Sequence, residues 1–421
     1  MGYDEGMEKT KRRVLTRRGV IWLGQTCNQR CYFCYFAHLV ANREHPLHPF
    51  MDLAKAKAIC RTLRDFYGNT SVDIQGGEPT IYGDIFELVR YCREIGLYPT
   101  LITNGLVLAK PGVVERYRDA GLRDFLVSVH GVGPMHDEAV GVPGAYEKVL
   151  VALGRMAETG APFRFNCTMS KPVVPALADV AREAERFRAY AVNYIAFNPY
   201  FTAEDCGTRS QENVPRYTEV RPRLTEALEI LENAGIETNV RYLPLCMAEA
   251  RWRKNFYNYQ QLSYDTHEWD LQSWLWTMMQ SQMMKNGVLT PTIKIGVGGR
   301  WIYLHDERVA RMCEKRPGLM KLAFSAHRAA ARGHESLVGL EGLYRREARV
   351  RAAKQCKYRQ GEACRRCAAR AVCDGFHGDY ASIFGMDEAQ SITDSPAITD
   401  PTFYIRQQEK TVEPEDTRWA L

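Results

Sequence analysis

Between residues 19 and 205, short apolar runs alternate with longer stretches in which apolar residues recur at helical spacing. Short apolar runs bounded by polar or glycine positions are typical of buried strands, and the 3.6-residue repeat is typical of helices that cover a sheet. Asp52 is the predicted N-cap of the first helix. The predicted strands are 19–24, 72–75, 98–102, 125–129, 163–169 and 192–197, and the predicted helices are 52–66, 85–95, 113–120, 146–159 and 174–187.

This alternation predicts an α/β fold with a parallel sheet, because consecutive parallel strands need a crossover between them. Ligands of such sheets and barrels collect at the carboxyl ends of the strands. Ser and Asn at these positions are commonly turn formers, but their recurrence at successive strand ends favours a shared ligand. The polar residues assigned to the carboxyl ends of the predicted strands are Asn104, Ser128, His130, Asn166 and Asn198.

The pattern changes after residue 205, where helices are predicted at 218–234 and 265–285. The second helix carries Trp and Met residues at helical spacing, which is typical of core packing, with a substrate-enclosing lid as the alternative. A small hairpin is predicted at 292–305. We expect four parts, namely a basic arm at 1–18, an α/β domain at 19–205, a helical and aromatic cap at 206–345, and a cysteine-rich region at 346–421.

The first cysteine motif, C-x3-C-x2-C, follows the first predicted strand and contains Cys27, Cys31 and Cys34. Three thiolates on one loop can bind three irons of a four-iron cluster and leave the fourth iron open to a small molecule. The alternative is a zinc knuckle that lacks one ligand. The second predicted strand ends in Gly76-Gly77-Glu78-Pro79, where two glycines allow a close approach of the backbone to a ligand.

These two motifs, with Phe33 before the last cysteine, resemble the signature of the radical S-adenosylmethionine (SAM) superfamily. The resemblance implies a partial (β/α)6 TIM-type barrel and a SAM-binding 4Fe–4S cluster. It also implies reductive cleavage of SAM to a 5′-deoxyadenosyl radical. The implied SAM contacts are Phe33, Gly76, Gly77, Glu78, Pro79, Asn104, Ser128, Asn166 and Asn198, with His130 as a candidate acid or base.

A second cysteine motif near the end of the sequence contains Cys364, Cys367 and Cys373. It resembles the auxiliary-cluster region of SPASM and twitch radical SAM enzymes, but His377 occupies the place of their next cysteine. We therefore expect one auxiliary 4Fe–4S cluster. Its fourth ligand is expected from Cys246 or Cys356, with Cys313, His377 or the substrate as alternatives.

A structural zinc site made of Cys356, Cys364, Cys367 and Cys373 is the other interpretation of this region. The remaining cysteines have no partner at ligand spacing, so we expect them to be core thiols. These are Cys60, Cys92, Cys167 and Cys206.

Length and composition limit the classes of protein. The chain has 421 residues, which predicts two or three domains, and its 13 cysteines without a secretory leader argue against a disulfide framework. No apolar run spans a bilayer, so we expect a cytoplasmic protein with no membrane partner. The formal charge of +6 is spread along the chain without a nucleic-acid-binding motif, so no nucleic-acid partner is expected.

We therefore expect a radical SAM enzyme that abstracts hydrogen from a small biosynthetic intermediate, such as a sugar, nucleoside or amino-acid derivative. Only 26 residues precede Cys27, whereas peptide-modifying relatives commonly carry a leader-binding segment there. Modification of a ribosomally made peptide is the second hypothesis, and a zinc-binding scaffold without enzymatic activity is the third. An external flavodoxin or ferredoxin is the expected electron donor.

Overall fold

The computed structural model describes residues 8–36, 43–199, 209–282 and 336–421, together with isolated positions between 287 and 333. The predicted hairpin at 292–305, the end of the predicted helix 265–285, Cys206 and Cys313 lie outside the described residues. Within these ranges, no helix is both long and apolar enough to cross a membrane.

The main sheet contains eight parallel strands, arranged in the order in which the chain forms them. An antiparallel pair, β1 with β10, lies outside this sheet. The strands are Glu8–Thr10 (β1), Arg18–Trp22 (β2), Ser71–Gln75 (β3), Tyr98–Thr103 (β4), Asp124–Ser128 (β5), Phe163–Met169 (β6), Ala191–Ala196 (β7), Glu237–Arg241 (β8), Phe256–Tyr257 (β9) and Lys410–Val412 (β10).

Helices connect most neighbouring strands, so the sheet forms a half-barrel and the predicted α/β fold is confirmed. Asp52 caps the first helix as expected, since its carboxylate accepts a hydrogen bond from the Lys55 amide at 2.7 Å. The α-helices are Leu53–Thr62 (α1), Ile85–Glu94 (α2), Val113–Asp119 (α3), Pro134–Val140 (α4), Ala145–Thr159 (α5), Leu177–Phe187 (α6), Tyr217–Asn233 (α7), Tyr259–Leu262 (α8), Leu271–Gln282 (α9), Leu340–Val350 (α10) and Gly378–Phe384 (α11).

One face of the sheet is apolar and packs against the helices. Ile21, Val72, Leu101, Val127 and Phe165 come from successive strands, and all are buried in the main hydrophobic core. Successive residues of a strand point to opposite faces, so their neighbours in the sequence point into the half-barrel. The core therefore holds the strands in register and leaves the inner face for other chemistry.

The inner face carries a buried network of charged side chains. Arg18 on β2 forms an ion pair with Asp73 on β3 at 2.7 Å, and Arg164 on β6 forms one with Asp124 on β5 at 2.8 Å. Opposite charges in direct contact offset the cost of removing each ion from water. This network fills the interior below the carboxyl ends of the strands.

The sheet has two more strands than the six expected, β8 and β9. The β8 sequence, Glu-Thr-Asn-Val-Arg, has no apolar run. Every second position of this strand is a buried polar residue of the charged network, namely Glu237, Asn239 and Arg241. The Lys410 ammonium of β10 lies 3.0 Å from Glu237 and 2.9 Å from Asp265. The C-terminal segment therefore supplies the cation that allows a polar strand to be buried.

Candidate active site

The first cysteine motif lies on the loop that follows β2, at the carboxyl edge of the sheet. Cys27, Cys31 and Cys34 are free thiols and are partly exposed. The Gln29 amide donates to the Cys27 sulfur at 3.4 Å, and the Phe36 amide donates to the Cys34 sulfur at 3.3 Å. Backbone amides of the loop therefore stabilise two of its three sulfurs.

The Gly-Gly-Glu-Pro loop packs directly against this cysteine loop. The Gly77 amide donates to the Gly24 carbonyl at 2.8 Å, and the Glu78 amide donates to the Thr26 carbonyl at 2.8 Å. A Cβ atom on Gly77 would lie 2.0 Å from the Thr26 carbonyl oxygen, which is far inside van der Waals contact. Gly77 is therefore needed for contact between the two loops.

The Glu78 carboxylate is buried and is hydrogen-bonded by the protein. One oxygen accepts from the Thr80 and Thr103 hydroxyls at 2.6 and 2.7 Å, and the other accepts from the Asn104 amide at 2.8 Å. Burial raises the pKa of Glu78, and these hydrogen bonds oppose that rise. Glu78 therefore joins the ends of β3 and β4.

Asn104 connects the end of β4 to the cysteine loop. Its side-chain amide donates to the Asn28 side-chain oxygen at 2.7 Å and lies 4.0 Å from the Cys27 sulfur. Sequence reasoning included Asn104 but missed Asn28, which lies inside the cysteine motif as a spacer residue. Its position between Cys27 and the next cysteine gives no signal of this contact.

His130 is buried against the cysteine loop, with its ring centroid 4.4 Å from that of Phe33. Its Nδ1 accepts a hydrogen bond from the Thr168 amide at 3.1 Å, so the neutral ring carries its proton on Nε2. Burial, with a smaller contribution from the neighbouring His136, lowers the pKa of His130 to about 3. His130 is therefore neutral near pH 7 and supports the aromatic ring of Phe33.

Three further predicted residues lie on or just after neighbouring strands: Ser128 ends β5, Asn166 lies in the middle of β6, and Asn198 follows β7. Ser128 and Asn166 are register partners on β5 and β6, and both are half-buried. Asn198 is almost fully buried just after β7, and its side-chain oxygen has no hydrogen-bond partner within the described part of the chain. An unsatisfied buried acceptor at this edge is consistent with a bound ligand that donates to it.

Arg209 also belongs to this site, although no sequence pattern marks it. Its guanidinium donates to the Phe33 carbonyl on the cysteine loop and, at 3.1 Å from Nε, to the Asn198 carbonyl after β7. It lies 4.0 Å from the ring centre of Tyr35 and 4.6 Å from that of Phe197. A lone arginine in a loop gives no periodicity, so sequence reasoning had no means to find it.

The chemistry of the three thiols fits an iron–sulfur cluster. Burial raises the pKa of Cys27 to about 12 and raises the pKa values of Cys31 and Cys34 as well. Thiolates in such surroundings require a compensating cation, and a coordinated metal deprotonates a thiol outright. Cys27, Cys31 and Cys34 would therefore hold the cluster, with Gly77 keeping the neighbouring backbone close.

The C-terminal cysteines line a second pocket. Cys246, which follows β8, lies there with Cys364, Cys367 and Cys373. Burial, with smaller contributions from Cys364 and Cys367, raises the pKa of Cys246 to about 11. The structure therefore brings four thiols to one pocket from two distant parts of the chain.

Backbone amides also surround the sulfurs of this second pocket. The Ile392 amide donates to the Cys367 sulfur at 3.4 Å. The amides of Leu245 and Gly375 oppose the rise in the pKa of Cys373 that burial causes. Amide donors of this kind tune iron–sulfur clusters, so the pocket has the donor set and the surroundings of such a site.

Cys356 and His377 do not line this pocket. The Cys356 sulfur is 3.1 Å from the Tyr259 hydroxyl, in a separate hydrophobic cluster. His377 caps α11, where its Nδ1 accepts from the Asp379 amide at 3.2 Å. Cys60, Cys92 and Cys167 are buried in the main core, with 3.7 Å between the sulfurs of Cys60 and Cys92.

Among the residues that the structure describes, no three or more His, Cys, Asp or Glu side chains converge as ligands of a single metal ion. A single zinc ion requires all of its ligands to meet at one point. In a four-iron cluster each thiolate binds its own iron, so its ligands do not have to meet at one point.

Residues 23–173 match the family model of the radical SAM superfamily. An AdoMet-dependent heme synthase of Oleidesulfovibrio alaskensis is 28% identical over 194 residues, which are 46% of this chain and 48% of that protein. A PqqA peptide cyclase of Methylorubrum populi is 35% identical over 120 residues, 27% of this chain and 30% of that protein. The chain thus spans about half the length, or less, of these relatives.

One similar solved structure is that of Streptococcus suis SuiB bound to S-adenosylmethionine. The alignment covers 54% of this chain and 51% of the SuiB chain. The two are 20% identical, with a TM-score of 0.44.

Proposed function

Because residues 23–173 form a radical SAM domain, we propose that this chain is an enzyme that cleaves SAM reductively to a 5′-deoxyadenosyl radical. The radical abstracts a hydrogen atom from a bound substrate. The observation that carries this proposal is the direct packing of the cysteine loop on the Gly-Gly-Glu-Pro loop, through Gly77 and the Thr26 carbonyl. A 4Fe–4S cluster, when bound, supplies the electron for this cleavage.

The residues of the chain have distinct roles in this proposal. Cys27, Cys31 and Cys34 bind the cluster, and the backbone of Gly76 and Gly77 approaches the methionine part of SAM. Glu78 holds the loop that contains these glycines against the end of β4. The side chains predicted to contact SAM along the strand ends are Asn104, Ser128, Asn166 and Asn198, with Phe33 and Pro79 beside the two loops.

We further propose one auxiliary 4Fe–4S cluster in the SPASM- or twitch-like region. Its ligands are Cys246, Cys364, Cys367 and Cys373, which line one pocket. Four thiolates would leave no iron open, which suits electron transfer or a structural role. Cys356 is not a ligand in this proposal because its sulfur lies beside the Tyr259 hydroxyl.

A small biosynthetic intermediate is the proposed substrate, and a ribosomally made peptide is the second candidate. A relative that matches over 149 residues is named a probable GTP 3′,8-cyclase, which favours the first, and the PqqA peptide cyclases favour the second. An external flavodoxin or ferredoxin is the proposed electron donor. The substrate candidates are separated by incubating the enzyme with SAM and each class and measuring which one increases 5′-deoxyadenosine formation.

The test of the activity uses the triple variant Cys27→Ala, Cys31→Ala and Cys34→Ala after anaerobic reconstitution. It should lose about half of the iron and all 5′-deoxyadenosine formation, because only this cluster has an open iron. Cys60→Ala, at a thiol buried in the main hydrophobic core and outside both cysteine motifs, is the matched control and should retain the iron and the activity. Continued SAM cleavage by the triple variant, or zinc in place of iron in the unaltered chain, would contradict the proposal.

A further inference from the structure

Arg209 joins two elements that carry the site. Its guanidinium donates to the Phe33 carbonyl, one residue before Cys34, and to the Asn198 carbonyl just after β7. Backbone carbonyls in these two positions belong to segments far apart in the sequence. A guanidinium presents several donors in a fixed plane, which allows one side chain to bind both carbonyls at once.

Aromatic rings further restrict this guanidinium. The Arg209 carbon between the three nitrogens lies 4.0 Å from the ring centre of Tyr35 and 4.6 Å from that of Phe197. Only 6% of Arg209 is exposed. A cation held over aromatic rings away from water has few alternative positions, so the charge is fixed beside the cysteine loop.

The charge of Arg209 lies beside Cys34. The guanidinium donates to the carbonyl of Phe33, the residue before Cys34, and lies over the ring of Tyr35, the residue after it. Arg209 therefore holds a positive charge against both chain neighbours of a proposed cluster ligand.

We propose that Arg209 is a positioning residue for the SAM-binding cluster: it fixes the cysteine loop to the end of β7 and sets a cation beside Cys34. This inference rests on the proposed function. A nearby cation favours the more negative of two redox states, so it stabilises the reduced cluster and raises its reduction potential. Arg209 thus makes the cluster easier to reduce.

The test compares Arg209→Met, which removes the charge and the hydrogen bonds, with Arg209→Lys, which keeps the charge without the planar donors. Arg186→Met is the matched control, because Arg186 also lies over an aromatic ring, that of Phe187 at 4.8 Å, but is largely exposed on α6. Hydrogen exchange of the amides in 27–36 is measured before and after reconstitution. The reduction potential is measured by electron paramagnetic resonance for the cluster whose signal changes when SAM is added.

Arg209→Met should shift the potential to a more negative value and speed exchange in 27–36. Arg209→Lys should speed exchange while the potential stays close to that of the unaltered chain, and Arg186→Met should change neither. Unchanged exchange in Arg209→Met overturns the anchoring role, and an equal potential shift in both Arg209 variants overturns the role of the charge. If the unaltered chain has no SAM-responsive cluster, the proposed function fails, and exchange before reconstitution still tests the anchoring.

Discussion

The Glu78 carboxylate accepts a hydrogen bond from the backbone amide of Asn104 at 2.8 Å, which ties the Gly-Gly-Glu-Pro loop to the end of β4. The other carboxylate oxygen is occupied by Thr80 and Thr103. Asn104 in turn donates from its side chain to Asn28. Glu78 therefore orients two loops that meet at the proposed SAM site.

Glu78→Gln should weaken SAM binding while both clusters stay in place. The glutamine amide cannot accept from every donor that faces the carboxylate, and an unsatisfied buried donor costs about 1–3 kcal/mol. We expect a loss of roughly tenfold in SAM affinity, since about 1.4 kcal/mol corresponds to a factor of ten. Titration calorimetry on the reconstituted enzyme measures this loss. The control is Glu87→Gln, at an exposed ion pair with Lys57, and equal affinity in both variants would contradict the role of Glu78.

Gly77→Val should prevent assembly of the N-terminal cluster. A Cβ atom there would lie 2.0 Å from the Thr26 carbonyl oxygen, so the loop that carries Cys27 must move. Iron analysis should show about half of the iron of the unaltered chain, as expected for one of two four-iron clusters. Gly83→Ala is the control, because a Cβ on Gly83 meets nothing within 4 Å and the iron content should be unchanged. A full iron content in Gly77→Val would show that the two loops separate without loss of the cluster.

The apolar face of the sheet explains how much of the fold could be predicted. Strands such as Phe163–Met169 have apolar residues that pack on helices, so their boundaries follow from the sequence pattern. β8 was missed because its buried face is polar, and the partners that stabilise it, Lys410 and Asp265, are remote in sequence.

The same reasoning applies to the site. Cys27 and Gly77 belong to motifs of fixed spacing and could be identified from the sequence. Arg209 and Asn28 act through contacts that only the folded chain brings together. The choice between Cys246 and Cys356 also depends on the tertiary structure. Cys246 is far from the C-terminal motif in the sequence, and Cys356 is close to it but does not belong to its spacing pattern.

Lys410→Met should destabilise the barrel strongly. The Lys410 ammonium is buried between Glu237 and Asp265 and also donates to the Asn239 side chain at 2.9 Å. Its removal leaves Glu237 without a lysine or arginine partner and leaves Asp265 with Arg241 alone, at 3.2 Å. Breaking a buried pair in this way costs about 3–5 kcal/mol. Denaturant unfolding measures the loss in the free energy of unfolding.

Two further variants test this explanation for Lys410. Adding Glu237→Gln to Lys410→Met should recover part of the lost stability, because one uncompensated charge is removed. Lys254→Met removes a partly exposed lysine paired with Glu232 and should cost at most about 1 kcal/mol. No recovery in the double variant would mean that packing, rather than charge, accounts for the role of Lys410.

His136→Gln should reduce the dependence of stability on pH between 7 and 5. Burial lowers the pKa of His136 to about 4, and the neighbouring Asp137 opposes this only in part. Below pH about 6.5 the unfolded chain binds a proton at His136 that the folded chain does not bind until about pH 4. The free energy of unfolding therefore decreases as the pH is lowered from 7 to 5. In the variant, the decrease in the free energy of unfolding between pH 7 and pH 5 should be smaller by roughly 2 kcal/mol. The same pH dependence in both proteins would contradict the role given to His136.

The fourth ligand of the proposed auxiliary cluster can be tested with two single variants. Cys246 lines the pocket of Cys364, Cys367 and Cys373, whereas the Cys356 sulfur lies 3.1 Å from the Tyr259 hydroxyl. Cys246→Ala should therefore change the electron paramagnetic resonance signal of the auxiliary cluster. Cys356→Ala, which removes a buried thiol that does not line this pocket, should leave that signal unchanged.

Other outcomes of this comparison have definite meanings. A change with Cys356→Ala alone would identify Cys356 as the ligand and require the loop around it to move toward the pocket. If neither variant alters the signal and added substrate does, the fourth iron is open and the cluster takes part in substrate binding. The unaltered chain should contain about eight irons, because two four-iron clusters are proposed. A count near twelve would require a third cluster, whose additional ligands would have to come from cysteines outside the two pockets.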